Sequence, residues 1–217
     1  MLPLLFTIAL DSAPLAAPPD GTYTYTETAQ GRPAGTTSVV VKRDGTSFGA
    51  TEVGKLSAMG QSISAQTSLS LGANLTPAFY AATYTVGPRI VHARIAFSGN
   101  TATETSDNGG KTYELTTETK SFAVLDGGFM SGTLFVPAQV LAHRSAPLFG
   151  IIPSFGFGFP LALDTVMKPD RPAGVAPLDA SMTFSGHTVV TIWYDPKTLI
   201  VDEVDVPAAN STVVRVR

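Results

Sequence analysis

The sequence predicts a mainly β protein built on one antiparallel sheet of about nine to eleven strands, with one short helical or irregular apolar insert. Three observations carry this. Apolar and polar residues alternate with period two through much of the chain. Turn residues punctuate it about every eight to twelve positions. No long stretch repeats with the 3.6-residue period of a helix.

The 217 residues suffice for one domain with a real core. No repeat, low-complexity tract or shift in composition marks a second, so residues 18–217 are read as a single β domain. Charged residues make up 14% of the chain, against ~25% in typical soluble domains. The formal net charge of −3 argues against a broad nucleic-acid surface. Cysteine is absent, which excludes disulfides, thiol catalysis, lipobox acylation and thiolate metal sites.

Residues 1–17 have the order of a secretory signal. Leu2 to Leu10 is apolar but for Thr7, and small residues follow through Ala16 and Ala17. The block is far too short to span a bilayer as a helix. The expected location is therefore periplasmic or secreted.

The strands follow in order. In Thr22–Thr26 both Tyr23 and Tyr25 fall on one face. Val39 and Val41 alternate with Val40 and Lys42, and Asp44-Gly45 supplies a tight turn. From Ile63 to Leu71 one face is Ile63, Ala65, Thr67, Leu69 and Leu71; the other is serine and glutamine. Phe79–Val86 and Ile90–Phe97 pair across Gly87-Pro88, which directs Val91, Ala93, Ile95 and Phe97 inward and His92 and Arg94 outward. Tyr113 to Glu118 alternates again. Pro137–Arg144 reads as a short helix, with proline in its first turn and a basic pair at its end. Near the C-terminus, Thr188–Tyr194 and Leu199–Val206 flank Asp195-Pro196-Lys197-Thr198, a type I turn. Thr212–Val216 is a last strand.

The middle is unusual. Ser145 to Leu163 carries no charge, three prolines, three glycines and the aromatic side chains Phe149, Phe155, Phe157 and Phe159. The prolines and glycines exclude a membrane span. Left wet, each large side chain would forgo about 1.5–3 kcal/mol of burial. This segment is therefore the expected insert, embraced by the sheet as core or as a movable cover over a lipid-sized cavity.

No catalytic constellation stands out. The Gly-x-Ser-x-Gly elbow is absent. His92, His143 and His187 lie far apart without carboxylates at ligand spacing, so no metal and no cofactor is implied. Asp202, Glu203 and Asp205 form the densest acidic group. A solvated strand face paired with Arg215 and Arg217 is preferred over a weak calcium site.

Gly21-Thr22-Tyr23-Thr24-Tyr25, the late Trp193-Tyr194-Asp195-Pro196-Lys197-Thr198-Leu199, and the meander between them carry a family resemblance. The chain resembles the periplasmic half-barrel proteins of the LolA, LolB and LppX type, and most nearly their DUF3108-like branch. The resemblance implies a curved, half-barrel-like sheet with an apolar hollow for acyl chains and no catalytic residues. The expected function is a non-enzymatic envelope protein that binds or carries a hydrophobic, lipid-like small molecule. Phe149, Phe155, Phe157, Phe159, Tyr23, Tyr25 and Trp193 are the expected pocket residues. The alternatives are a structural or interaction module without a ligand, and a hydrolase with an unrecognised site.

Overall fold

The computed structural model describes residues 16–217 apart from 59, 108–109, 115–120, 144–147, 166–168, 174, 177–178 and 186–188. All but the last two residues of the expected signal segment, and His187, lie outside the described residues. The chain is mainly β, as expected, and its strands form one sheet.

The first strands are β1 (Gly21–Ala29), β2 (Arg32–Asp44), β3 (Ser47–Ala58), β4 (Gln61–Leu71), β5 (Pro77–Val86), β6 (Arg89–Ser98), β7 (Thr101–Ser106) and β8 (Lys111–Glu114). The rest are β9 (Ser121–Val124), β10 (Leu148–Ile152), β11 (Phe157–Asp164), β12 (Ala180–Ser185), β13 (Val190–Tyr194), β14 (Val201–Val206) and β15 (Ser211–Arg215). Among the described residues the one α-helix, α1 (Val136–Ala142), stands close to where proline predicted it. The sheet therefore has fifteen strands rather than nine to eleven.

Its order is β8 to β1, then β15 down to β9, so β1 and β15 pair at the middle and β8 and β9 form the two edges. Laid flat, fifteen strands would span about 65–70 Å. The chain nevertheless passes from Glu114 at one edge to Ser121 at the other in seven residue steps, a reach of about 25 Å. The sheet must curl until its edges approach, and it is nearly closed into a barrel. Phe122 of β9 accordingly meets Phe97 of β6, with ring centroids 5.4 Å apart.

From β1 to β7 most connections are tight hairpins. Val86 pairs with Arg89 across Gly87-Pro88, with Gly87 at φ +57°, as the sequence predicts. Inward residues line up in rungs across the strands: Val39, Glu52, Thr67, Ala82 and Ala93 in one, and Val41, Ala50, Leu69, Tyr80 and Ile95 in the next. The Asp195 turn is wider than expected. The Leu199 N–H donates to the Asp195 carbonyl at 2.7 Å, and Leu199 takes φ +59°.

Every pair is antiparallel except β9–β10. Parallel neighbours need a crossover, and here it is residues 125–147, which carry α1. The described part of the crossover, residues 125–143, lies inside the curled sheet. Phe129, Met130, Leu134, Phe135, Val136 and Ala138 are all buried. The expected insert is therefore misplaced. Phe149, Phe157 and Phe159 belong to strands β10 and β11, whereas the plug is residues 126–142. The reason is local. β12 pairs with β11 only over Ala162–Asp164, so the ladder to β12 lies beyond Pro160. β-prone aromatics decide the rest. The plug is just as free of charge, from Gly127 to Ala142.

Candidate functional site

β3 places Glu52 on the inner face between Ala50 and Gly54, at a position that alternation reserves for apolar side chains. Its carboxylate is buried, at 2% exposure. It meets four donors. The barrel wall supplies the Thr37 hydroxyl to Oε1 and the Thr67 hydroxyl to Oε2, the latter at 3.3 Å. The plug supplies successive backbone amides, Met130 N–H to Oε1 at 2.7 Å and Ser131 N–H to Oε2 at 2.8 Å. Thr67 also exchanges a hydrogen bond with the Ser131 hydroxyl at 2.7 Å. Burial pushes the Glu52 carboxyl above the usual carboxylate range, and its donors pull back against that.

A second contact runs the other way. Asp126 of the plug turns its Oδ2 to the wall, where Tyr80 and Tyr84 of β5 both donate their hydroxyls. Asp126 is fully enclosed, and burial raises its pKa too. The Tyr80 and Tyr84 hydroxyls, and after them Ser154, oppose that rise. Gln139 of α1 completes the attachment by donating to the carbonyls of Leu75 at 2.9 Å and Phe122 at 3.2 Å. Plug and wall thus grip each other through one carboxylate apiece.

The ion pairs shown among the described residues lie elsewhere, beside β15. Arg215 Nε stands 2.5 Å from Asp202, and Arg217 stands 3.2 Å from Asp202 and 3.9 Å from Asp179. The expected pairing of the acidic group with Arg215 and Arg217 thus falls on Asp202, while Asp205 accepts from the Thr212 hydroxyl at 2.9 Å. Burial, then the neighbouring Asp205 carboxylate, lifts Glu203 to about 7. Among the described residues no group of three or more His, Asp or Glu is arranged to hold a metal ion. No helix among them is long and apolar enough to cross a membrane.

The expected pocket residues whose side chains are described are not gathered around one space. Tyr23 and Tyr25 face inward, where the Tyr25 hydroxyl donates to the Val201 carbonyl at 2.8 Å and the Tyr23 hydroxyl to the Pro19 carbonyl at 2.7 Å. Trp193 points to the opposite face. It pairs with Glu203 in the rung that runs on through Val214 to Thr26, and the Arg171 guanidinium covers its ring at 4.9 Å. Phe157 and Phe159 stack at 5.8 Å on one face of β11. Phe149 lies on the other face and meets Phe122 at 6.1 Å. Phe155 sits in the turn between β10 and β11, with its side chain outside the described set. Cross-strand register separates these residues: Phe149 stands opposite Pro160, one position off Phe159, and Trp193 shares its rung with Thr26, one position off Tyr25.

Glu52, Asp126, Tyr80, Tyr84 and Gln139 were missed. For Glu52 a signal existed: a carboxylate in the apolar phase of a strand. For Asp126 it was the lone charge before a long uncharged run. Comparison with protein-family models, with curated proteins and with solved structures finds no match.

Proposed function

We propose that this is a non-enzymatic, exported cell-envelope protein that binds or carries a hydrophobic, lipid-like ligand inside the barrel, where the ligand takes the place of the plug. One observation supports this above the rest. Among the described residues, no backbone-to-backbone hydrogen bond joins residues 126–143 to a barrel strand; those bonds are local, such as Leu134 N–H to Met130 carbonyl at 3.0 Å. The plug can therefore leave without breaking a ladder. The wall behind it is apolar, with Val41, Leu69, Tyr80 and Ile95 at its centre. The resemblance to periplasmic half-barrel proteins points the same way.

A second reading has its own observation. Leu134, Phe135 and Val136 are each 0% exposed, the packing of a permanent core, which favours a structural or interaction module. Native mass spectrometry after mild extraction, with titration of a neutral apolar fluorophore, separates the two. A co-purifying lipid or saturable fluorescence supports the carrier. Repeatedly ligand-free protein without a fluorescence response removes it and leaves the module.

A further inference from the structure

The plug occupies the barrel in a chemically particular way. Its apolar side chains fill the apolar wall, and its polar contact with Glu52 consists of two adjacent N–H groups, one to each carboxylate oxygen. Two of the four donors to Glu52, the hydroxyls of Thr37 and Thr67, belong to the wall and remain when the plug departs. The other two leave with it. An occupant that replaces the plug must therefore meet a buried carboxylate with two open acceptor positions, or leave them dry at a large cost.

The surroundings of Glu52 sharpen this. β2 presents Thr37 and Val39 toward it, β4 presents Ala65, Thr67 and Leu69, and the plug brings Met130, Ser131 and, within electrostatic reach, Asp126. None of these is a cation. An anionic head group placed at Glu52 would meet like charge in a low-dielectric interior.

Resting on the carrier reading, we propose that the ligand is a single-chain amphiphile whose polar end carries at least two N–H donors, a primary ammonium or a primary amide, received by Glu52. In this respect the Met130–Ser131 backbone imitates the ligand's head, and the side chains around it imitate the tail. Free fatty acids, whose head can only accept once ionised, cannot satisfy Glu52 and would have to turn instead to the Tyr80 and Tyr84 hydroxyls that Asp126 leaves behind.

The test is displacement of a bound neutral apolar fluorophore from the full chain at neutral pH by dodecylamine, dodecanol and dodecanoate, which share one chain length. Dodecylamine is expected to displace at a concentration about tenfold below dodecanoate, with dodecanol between them. Because the protein is net acidic, a preference for amines could arise at its surface. The series is therefore repeated in 1 M salt, where screening acts within about 3 Å, and in Glu52→Gln. A buried contact keeps its preference in salt and loses most of it in the variant. If Glu52→Gln fails to fold, the salt series on the wild-type protein decides alone. Fluorophore binding with amine and carboxylate within about threefold of each other overturns the head-group assignment and leaves the carrier standing. A preference that vanishes in salt, or persists in folded Glu52→Gln, overturns it equally. Absence of fluorophore binding overturns the carrier reading and this one with it.

Discussion

Strands β1 to β6 run nine to thirteen residues and turn mostly through tight connections, whereas β9 to β15 run four to eight and, among the described residues, include the one parallel pair. In the first region one face is wet. Val53 is 62% exposed while its neighbour Glu52 is 2% exposed. In the second, β9, β13 and β14 are covered on both faces: all four residues of β9 are buried, and so are adjacent Asp202, Glu203 and Val204 of β14. A strand with one wet face writes its position in alternating residues; a strand covered on both sides does not. The wet-faced region holds the wall of the barrel, and the covered region supplies the plug and closes the wall around it.

Three measurements can break or sharpen that contrast. The largest effect is expected at the plug. Phe135→Ala removes a fully buried ring that packs edge-on to Phe48 with centroids 6.3 Å apart. It should cost about 3–5 kcal/mol in urea unfolding, whereas Val53→Ala on the wet face should stay within about 0.5 kcal/mol. Similar losses at the two sites would abolish the distinction. Next comes the polar grip. Glu52→Ala strands the Met130 and Ser131 amides without their acceptor and should cost about 2–3 kcal/mol, with Glu52→Gln losing less because an amide oxygen remains. An equal loss in both variants would mean that the charge, rather than the acceptor geometry, holds the plug.

The smallest effect is one of pH. Glu203 titrates at about 7 in the folded chain, against 4.5 for an unperturbed glutamate. The folded state thus holds this proton more tightly than the unfolded state does. Its contribution to stability is complete below about pH 4.5 and is lost as the pH rises through about 7. The melting temperature of the wild-type protein should fall across that window, and Glu203→Gln should flatten the fall. A variant with the same slope as wild type would place the titration elsewhere.

Legibility followed the same divide. Period-two patterning located β4, β5 and β6, because each of these has a contrast between two environments, and proline located the first turn of α1, whose last turn holds no basic residue. The uncharged run from Ser145 to Leu163 was recognised as something to be buried, but its form was not. Three prolines and three glycines read as an irregular plug, whereas in the structure Pro160 stands inside β11, which pairs β12 only further along. Apolar content says that a segment is hidden and is silent on whether it is wall or filling. The candidate site was hidden for another reason. Glu52 and the Met130–Ser131 amides lie nearly eighty residues apart in the chain, and only the crossover between parallel neighbours brings them together. The one local hint, a carboxylate out of phase at Glu52, needs the strand's inward face to be known first.

The junction between β1 and β15 sets the order of events during biosynthesis. Tyr25 stands opposite Arg215, and Ala29 opposite Ser211, so the wall is joined at its centre by segments far apart in the sequence. Until β15 emerges, β1 and β14 each present an unsatisfied row of amides and carbonyls. Closure across so long a separation is also entropically slow. A newly made chain of this design cannot close its sheet at the centre until translation has passed β15.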